Sequence, residues 1–219
     1  MKKFDTTLYF ITDSTGFDES EFLRRTEEAL KGGVTLVQLR EKQKTTAEYI
    51  AVAEKVHELT KKYGVPLIID DRVDVALAVG AEGVHLGKED MPVSVARRIL
   101  GDNFIIGATA KTVPWALEAY GGGADYLGVG AIYPTTTKVK TVLTSVETLD
   151  QICRAVPIPV NAIGGLNKSN IDVLSGIPIS GICVVSAIMK ADLPKNAAEE
   201  LKTEWRRIHY ENGADNCGK

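Results

Sequence analysis

The chain has few cysteines, and they form no recognisable pattern. Of its 219 residues only three are cysteine, Cys153, Cys183 and Cys217, and they lie far apart. Metal-binding cysteines usually come in closely spaced pairs, and a complete disulfide framework needs an even number. The sequence therefore indicates neither. Free thiols are typical of a reducing compartment, which we expect to be the cytoplasm.

Long apolar runs and blocks of like charge are also missing. No run approaches the ~20 apolar residues of a transmembrane helix. Residues 1–5 lead into a short strand-like run and not into the apolar stretch of a signal peptide. The net charge is −3, from 26 basic and 29 acidic residues that are mixed along the chain. We therefore expect neither a membrane nor a nucleic acid as a partner.

What the sequence does have is a regular alternation of short apolar runs and longer amphipathic ones. Eight apolar runs predict strands over residues 8–12, 34–40, 65–70, 83–86, 104–107, 126–129, 158–163 and 181–185. The segments between and after them predict helices over 18–31, 46–63, 74–79, 93–100, 113–120, 145–155, 169–175 and 195–208. Strands that are apolar on both faces are typical of a parallel sheet covered by helices.

Eight such units favour a closed (β/α)₈ TIM barrel over an open sheet. No linker or low-complexity segment divides the chain. We predict one barrel domain over residues 1–209. Residues 210–219 are polar and predict a disordered tail.

The chemistry of such a barrel lies at the carboxyl ends of its strands. Residues that could bind anions, metals or polar rings follow the strands there: Gln38, Arg40, Lys42, Asp70, Asp71, Asp90, Thr109, Thr135, Thr136, Thr137, Lys138, Gly164, Gly165 and Ser186. Period-two alternation places Gln38 and Arg40 on the same face of their strand. The three threonines and Lys138 form a loop that could cradle a phosphate.

Each candidate also has a purely structural interpretation. Arg40 and Glu41 could form an ion pair at the rim of the barrel. Asp70 and Asp71 could cap the helix that follows them, and Asp90 could cap the next one. His85 could be a hydrogen-bonded core histidine and not a catalyst.

Taken together, these residues indicate two anion sites. Two carboxylates on adjacent strand ends suit Mg²⁺, which accepts one or two protein carboxylates plus phosphate oxygens. Arg40, Lys42 and Lys138 supply positive charge for an oligophosphate, and the glycine pair with Ser186 matches the usual phosphate site of such barrels. No Ser/His/Asp or Cys/His grouping is evident. We therefore predict two phosphorylated substrates and catalysis by stabilisation of a leaving group.

Six segments, in the same order along the chain, resemble the thiamine-phosphate synthase family, and the resemblance extends from about residue 8 to residue 194. They are Gln38-Leu39-Arg40-Glu41-Lys42, Asp70-Asp71-Arg72, Gly83-Val84-His85-Leu86-Gly87-Lys88-Glu89-Asp90, Gly130-Ala131-Ile132-Tyr133-Pro134-Thr135-Thr136-Thr137-Lys138, Ala162-Ile163-Gly164-Gly165 and Val184-Val185-Ser186-Ala187-Ile188. Each motif alone has little specificity. The six together in family order are strongly specific.

The resemblance implies a reaction. Hydroxymethylpyrimidine diphosphate loses pyrophosphate, and the ring nitrogen of a thiazole phosphate takes its methylene carbon to give thiamine phosphate. A carboxylated thiazole also loses CO₂. The implied cofactor is Mg²⁺, and the partners are these small molecules; the resemblance leaves open whether the chain forms a homo-oligomer.

The resemblance also implies roles for individual residues. The pyrimidine diphosphate would be held by Gln38, Leu39, Arg40, Glu41, Lys42, Asp70, Thr109 and Lys138. The thiazole phosphate would be held by Thr135, Thr136, Thr137, Gly164, Gly165, Val185 and Ser186. Asp71 and Asp90 would bind Mg²⁺, and Arg40 and Lys138 would act on the departing pyrophosphate.

Two other classes of function remain open at this point. A thiazole tautomerase of the same fold would need a base, typically a histidine after the fifth strand. Here that stretch is Thr109-Ala110-Lys111-Thr112. A ligand-binding barrel without catalysis, or another phosphate-binding barrel enzyme, could share the threonine loop. Neither would require Asp71, Asp90 and Lys138 together.

The chain departs from the family pattern at two candidate positions. Asp70 stands where the family commonly has Asn, and Thr109 stands where Ser is usual, which keeps the hydroxyl. A carboxylate at position 70 adds repulsion toward a diphosphate unless it is protonated or contacts the metal.

We predict that Asp70→Asn retains activity and shifts its Mg²⁺ dependence, because the substitution removes a negative charge beside the diphosphate. Initial rates over a Mg²⁺ titration measure this. Loss of all turnover in the variant would contradict the prediction.

Overall fold

The structure is a computed structural model that describes residues 4–135 and 142–214, with side chains up to residue 209. Its centre is a closed barrel of eight parallel strands in chain order, and β1 pairs with both β2 and β8. The strands are β1 (Leu8–Ile11), β2 (Leu36–Leu39), β3 (Leu67–Asp70), β4 (Gly83–Leu86), β5 (Ile105–Ala110), β6 (Tyr126–Gly130), β7 (Val160–Ile163) and β8 (Gly181–Val184). The predicted (β/α)₈ barrel is confirmed.

Helices surround the barrel. They are α1 (Glu19–Lys31), α2 (Thr46–Tyr63), α3 (Val73–Val79), α4 (Val93–Leu100), α5 (Val113–Gly121), α6 (Val146–Ala155), a 3₁₀ helix (Ile171–Leu174), α7 (Ser186–Met189) and α8 (Pro194–Ala214). Within residues 4–135 and 142–214, none of the helices combines the length and apolarity needed to cross a bilayer.

The structure differs from the sequence prediction in three elements. The helix predicted over 169–175 is a single 3₁₀ turn, and α7 was not predicted. The last helix continues to Ala214, past its predicted end at residue 208 and into the predicted tail. Residues 215–219 lie outside the described part, and the domain boundary at residue 209 stays a prediction.

Local capping sets several of the helix boundaries. Thr45 caps α2 and forms a reciprocal capping box with Glu48, and Gly64 ends the helix in the left-handed region. Asp18 caps α1 through the backbone N–H of Glu21. The N-cap of α4 is Pro92, which makes no side-chain cap bond. The alternative in which Asp90 caps this helix is therefore wrong.

Period-two alternation divides the buried side chains into two cores. One core lies between the barrel and its helices. The second fills the barrel lumen and consists of Tyr9, Ile11, Leu36, Ile68, Ile105, Tyr126 and Cys183. Phe4, which precedes β1, packs edge-on against Tyr126 with their ring centroids 5.8 Å apart.

Gly107 makes room for one of the two tyrosines of the lumen. It pairs with Tyr126 on the neighbouring strand. A Cβ added at Gly107 would lie 2.1 Å from Cζ of Tyr126 and 2.3 Å from its hydroxyl oxygen. Glycine on β5 is therefore what allows a tyrosine of β6 to lie across the lumen.

We predict that Gly107→Ala destabilises the protein by about 1–3 kcal/mol, because the added methyl overlaps a tyrosine that has no free space. The matched control is Gly121→Ala, at a position in α5 where a Cβ meets nothing within 4 Å. That control should be neutral or stabilising by up to about 1 kcal/mol. Urea unfolding measures both. Equal free energies of unfolding for the two variants would contradict the assignment.

Candidate active site

Two cations and two carboxylates lie together where β2 and β3 end. Nζ of Lys42 is 2.7 Å from Oδ2 of Asp70 and also contacts Oδ2 of Asp71. Nε of Arg40 is 3.8 Å from the same Asp70 oxygen. Burial and then the charge of Asp71 raise the pKa of Asp70 to about 6, against the opposing effect of Lys42 and Arg40. Asp70 therefore holds both predicted diphosphate-binding cations at the mouth of the barrel.

Glu41 points away from this cluster. Its Oε2 accepts a hydrogen bond of 2.9 Å from Oγ of Ser14 and lies 3.5 Å from Nζ of Lys44. The alternative of an Arg40–Glu41 rim pair is therefore wrong. Leu39 also faces outward, since its side chain packs in the outer core and its carbonyl oxygen accepts from the Tyr49 hydroxyl at 2.6 Å.

Asp71 and Asp90 form an acid pair beside the cations. The backbone N–H of Asp71 donates to His85 O at 2.9 Å, and the residue has a φ of 61°. Oδ2 of Asp90 accepts a 2.7 Å bond from the N–H of Gly87. Burial, and then a hydrogen bond and the charge of Asp71, raise the pKa of Asp90. The two carboxylates thus lie in contact with each other. Neither caps a helix, since the N-caps of α3 and α4 are Arg72 and Pro92.

This pair fits a magnesium ion. Its donors are carboxylate oxygens, and the like charges that face each other there would be neutralised by a divalent cation. Across the described ranges, no group of three or more His, Cys, Asp or Glu side chains forms a metal site. Two carboxylates are nevertheless sufficient for Mg²⁺, which takes its remaining ligands from water and phosphate.

A chain of hydrogen bonds crosses the lumen below the charged cluster. Nε2 of Gln38 donates to the hydroxyl of Tyr9 at 2.6 Å, and that hydroxyl lies 2.7 Å from the hydroxyl of Tyr126. Nδ1 of His85 is 3.1 Å from the Tyr126 hydroxyl, and its Nε2 is 3.0 Å from Oγ1 of Thr109. Burial lowers the pKa of His85 to about 4. The interpretation of His85 as a hydrogen-bonded core histidine fits this geometry.

Sequence reasoning missed the two tyrosines of this chain. A signal for them existed. Tyr9 and Tyr126 occupy inward positions of their strands. The period-two alternation of the strand, together with the glycine that pairs with Tyr126, indicates that the Tyr126 side chain faces the lumen. Gln38 and Thr109 were predicted, and the structure connects them through the other three residues.

The glycine pair after β7 packs against the start of the threonine loop. Gly164 and Gly165 have φ values of 107° and 64°. A Cβ on Gly165 would lie 2.7 Å from Cβ of Tyr133 and 2.8 Å from the carbonyl oxygen of Pro134. The N–H of Tyr133 donates to Gly164 O at 3.0 Å. Glycine is required here both by φ and by this close approach.

The rest of the predicted phosphate site is described only in part. Ser186 begins α7, and Val185 is its N-cap and packs against the lumen cluster. Thr135 is half-buried at the end of the described loop. Thr136, Thr137 and Lys138 lie outside the described residues.

The fold is a closed parallel barrel whose carboxyl face carries paired cations, an acid pair and a glycine loop. These features are typical of the (β/α)₈ enzymes that act on phosphorylated substrates. The profile of the thiamine monophosphate synthase family matches residues 8–188. The chain belongs to the thiamine monophosphate synthase family.

Individual relatives agree with this assignment. Thiamine-phosphate synthase 2 of Streptococcus pneumoniae is 54% identical over 185 residues, which is 84% of this chain and 88% of the relative. The thiamine-phosphate synthase of Methanobrevibacter smithii is 47% identical and covers 94% of this chain and 98% of its own. The structure of thiamine phosphate pyrophosphorylase from Pyrococcus furiosus superimposes with a TM-score of 0.85 at 42% identity, covering 93% and 96% of the two chains. The chain is therefore a transferase of the thiamine-phosphate synthase type.

We predict that Gly165→Ala costs about 1–3 kcal/mol more stability than Gly176→Ala. Both glycines have a positive φ, but a Cβ at Gly176 meets nothing within 4 Å. Gly176→Ala is therefore the control, since it has the backbone strain of a positive φ but no overlap with Tyr133 and Pro134. Chemical denaturation compares them. Equal losses would mean that the two loops do not pack as described.

Proposed function

We propose that this chain couples 4-amino-5-hydroxymethyl-2-methylpyrimidine diphosphate to a hydroxyethylthiazole phosphate, in its plain or carboxylated form. The products are thiamine phosphate and pyrophosphate, with CO₂ from the carboxylated thiazole. The observation that carries the proposal is the acid pair Asp71–Asp90 next to the cations Arg40 and Lys42. A diphosphate with a divalent cation complements this pattern of charges.

In this proposal Arg40 and Lys42 bind the diphosphate, and Asp70 positions them. Both cations have an ion-pair partner in Asp70 before substrate arrives, so they are pre-oriented. Gln38 contacts the pyrimidine ring, and Thr109 contacts the diphosphate. Lys138 would add a further cation.

The thiazole phosphate would bind on the other side of the mouth. The proposed contacts are Thr135, Thr136, Thr137, Gly164, Gly165, Val185 and Ser186. The support for this side is the packing of the Gly164–Gly165 turn against Tyr133 and Pro134, which brings the two loops together. Backbone N–H groups in such a turn suit a phosphate without adding charge.

Asp71 and Asp90 would hold Mg²⁺. When bound, the ion would supply positive charge at the diphosphate oxygens. Lys42 already contacts Asp71, so a diphosphate arriving there would offer Lys42 a second anionic partner.

The chemical step is cleavage of the bond between the methylene carbon and the diphosphate oxygen. The bonding electrons leave with pyrophosphate, and the electron-rich aminopyrimidine stabilises the methylene cation. Arg40 and Lys42 neutralise the charge that grows on the leaving group. The lone pair of the thiazole nitrogen then forms the new carbon–nitrogen bond. No protein base is required for this sequence.

The test is incubation of the purified chain with both phosphorylated halves, each half alone, and both halves without Mg²⁺. Pyrophosphate and thiamine phosphate should appear together only when both halves and the metal are present. Tight binding without product would favour a ligand-binding barrel. A change in the thiazole alone would favour a tautomerase.

We predict that Asp71→Asn and Asp90→Asn each raise the Mg²⁺ concentration for half-maximal rate by at least about tenfold, because each removes a charged ligand. Asp74→Asn is the control, since Asp74 is an exposed carboxylate that pairs with Arg72 at the start of α3. Its Mg²⁺ dependence should match that of the parent chain. Unchanged Mg²⁺ dependence in both site variants would overturn the metal assignment.

A further inference from the structure

Five residues form the chain of hydrogen bonds in the lumen: Gln38, Tyr9, Tyr126, His85 and Thr109. Its polarity is the direction from donor to acceptor, and every hydrogen bond of the chain must run in the same direction. Each of the three hydroxyls carries one proton. Burial raises the pKa of Tyr9 and of Tyr126 well above the usual value, so both keep theirs. His85 is buried, and its two ring nitrogens each face a hydroxyl oxygen, Nδ1 that of Tyr126 and Nε2 that of Thr109. When Nδ1 accepts the proton of Tyr126, the ring carries a single N–H in this chain. Each link between neighbours then needs one proton, and the choice at one link determines the next.

The structure starts this chain from Gln38. Its Nε2 donates to Tyr9, so the proton of Tyr9 is directed to Tyr126 and that of Tyr126 to Nδ1 of His85. The single proton of His85 must then be on Nε2, which donates to Oγ1 of Thr109. Thr109 has accepted one bond and keeps its own proton for a further acceptor. The side chain of Thr109 is half-buried, at the edge of the mouth.

The opposite polarity would reverse both ends. Thr109 would donate to Nε2 of His85, Nδ1–H would donate to Tyr126, and Tyr9 would donate to Oε1 of Gln38. Thr109 could then only accept in the mouth, and Gln38 would turn its NH₂ group away from Tyr9. A mixture of the two directions leaves a buried proton without an acceptor, or a buried pair of acceptors without a proton, and either is costly.

Only one polarity suits the proposed substrate. Diphosphate oxygens accept hydrogen bonds and do not donate them, so Thr109 must donate to contact one. An aminopyrimidine carries an exocyclic amine that donates, and Gln38 can accept from it through Oε1 when its Nε2 is bound to Tyr9. Both requirements are met when Gln38 donates to Tyr9 and His85 carries its proton on Nε2.

We propose that Tyr9, Tyr126 and His85 are positioning residues that fix Gln38 as an acceptor and Thr109 as a donor. The hydrogen bond of Gln38 to the pyrimidine and that of Thr109 to the diphosphate are then set together. None of the three needs to touch the diphosphate. The inference rests on the proposed function, because the substrate decides which polarity is productive. It assigns the lumen a role in specificity beyond packing.

The first measurement is the tautomer of His85 by ¹⁵N NMR, with the pyrimidine diphosphate and Mg²⁺ present and the thiazole phosphate absent. The chain has three histidines, and His85→Gln identifies the signal by its loss. The expected spectrum has the proton on Nε2 and an unprotonated Nδ1. A proton on Nδ1 in this complex would overturn the inference.

The second measurement removes single hydroxyls. Tyr126→Phe and Tyr9→Phe should each raise the KM for the pyrimidine diphosphate on the order of tenfold, the value of one hydrogen bond to a charged group. The KM for the thiazole phosphate should not change. Tyr126→Phe should also give a mixture of His85 tautomers. Tyr63→Phe is the control, because it removes a hydroxyl that bonds Glu27 outside the barrel.

The double variant separates a connected chain from two independent contacts. Because both substitutions interrupt the same chain, Tyr9→Phe with Tyr126→Phe should cost little more than either alone. Additive losses would overturn the inference, as would wild-type KM values in a folded Tyr126→Phe.

If that variant does not fold, Tyr9→Phe and the tautomer in the parent chain decide the question. A parent chain that makes no product overturns the proposed function and this inference together, whereas product with the wrong tautomer overturns the inference alone.

Discussion

Closure of the parallel sheet is the constraint on which the rest of this structure depends. The pairing of β1 with β8 joins the first strand to the last and leaves no open edge. It also brings eight carboxyl ends into one ring, so residues far apart in the chain meet at a single mouth. Arg40 and Asp70 come from successive units, and Asp90 comes from the next. An open sheet of the same strands would spread these groups along a line.

The charged groups at the mouth have partners within the protein before any ligand arrives. Asp70 faces both Arg40 and Lys42, and burial, followed by the hydrogen bond and the charge of Asp71, raises the pKa of Asp90. A diphosphate with a divalent cation can exchange with these internal pairs at little net change of charge. A carboxylate at position 70 is therefore compatible with anion binding, because its charge is already used in holding the cations.

In the lumen, the packing of the core and the chain of hydrogen bonds depend on the same residues. Because Gly107 has no side chain, Tyr126 has room to lie across the barrel. The hydroxyl of Tyr126 then contacts both Tyr9 and His85. The ends of that chain are Gln38, which is buried, and Thr109, which is half-buried. A buried polar network of this kind is stable only when every member has a partner, so the positions of its two ends are fixed by residues that lie below them.

The sequence by itself determined the order and type of the eight strands, the starts of α1 and α2 to within one residue, and the candidate residues at the strand ends, because periodicity is local. Only the tertiary structure decided that Asp90 faces Asp71 and does not cap α4, that Glu41 turns to Ser14, and that two tyrosines connect Gln38 with Thr109. The single-turn helices at Ile171–Leu174 and Ser186–Met189 were mispredicted or missed, since four residues carry no helical period. Contacts across the barrel depend on which strands become neighbours and on where side chains meet in the lumen. Neither is encoded in any short stretch of the chain.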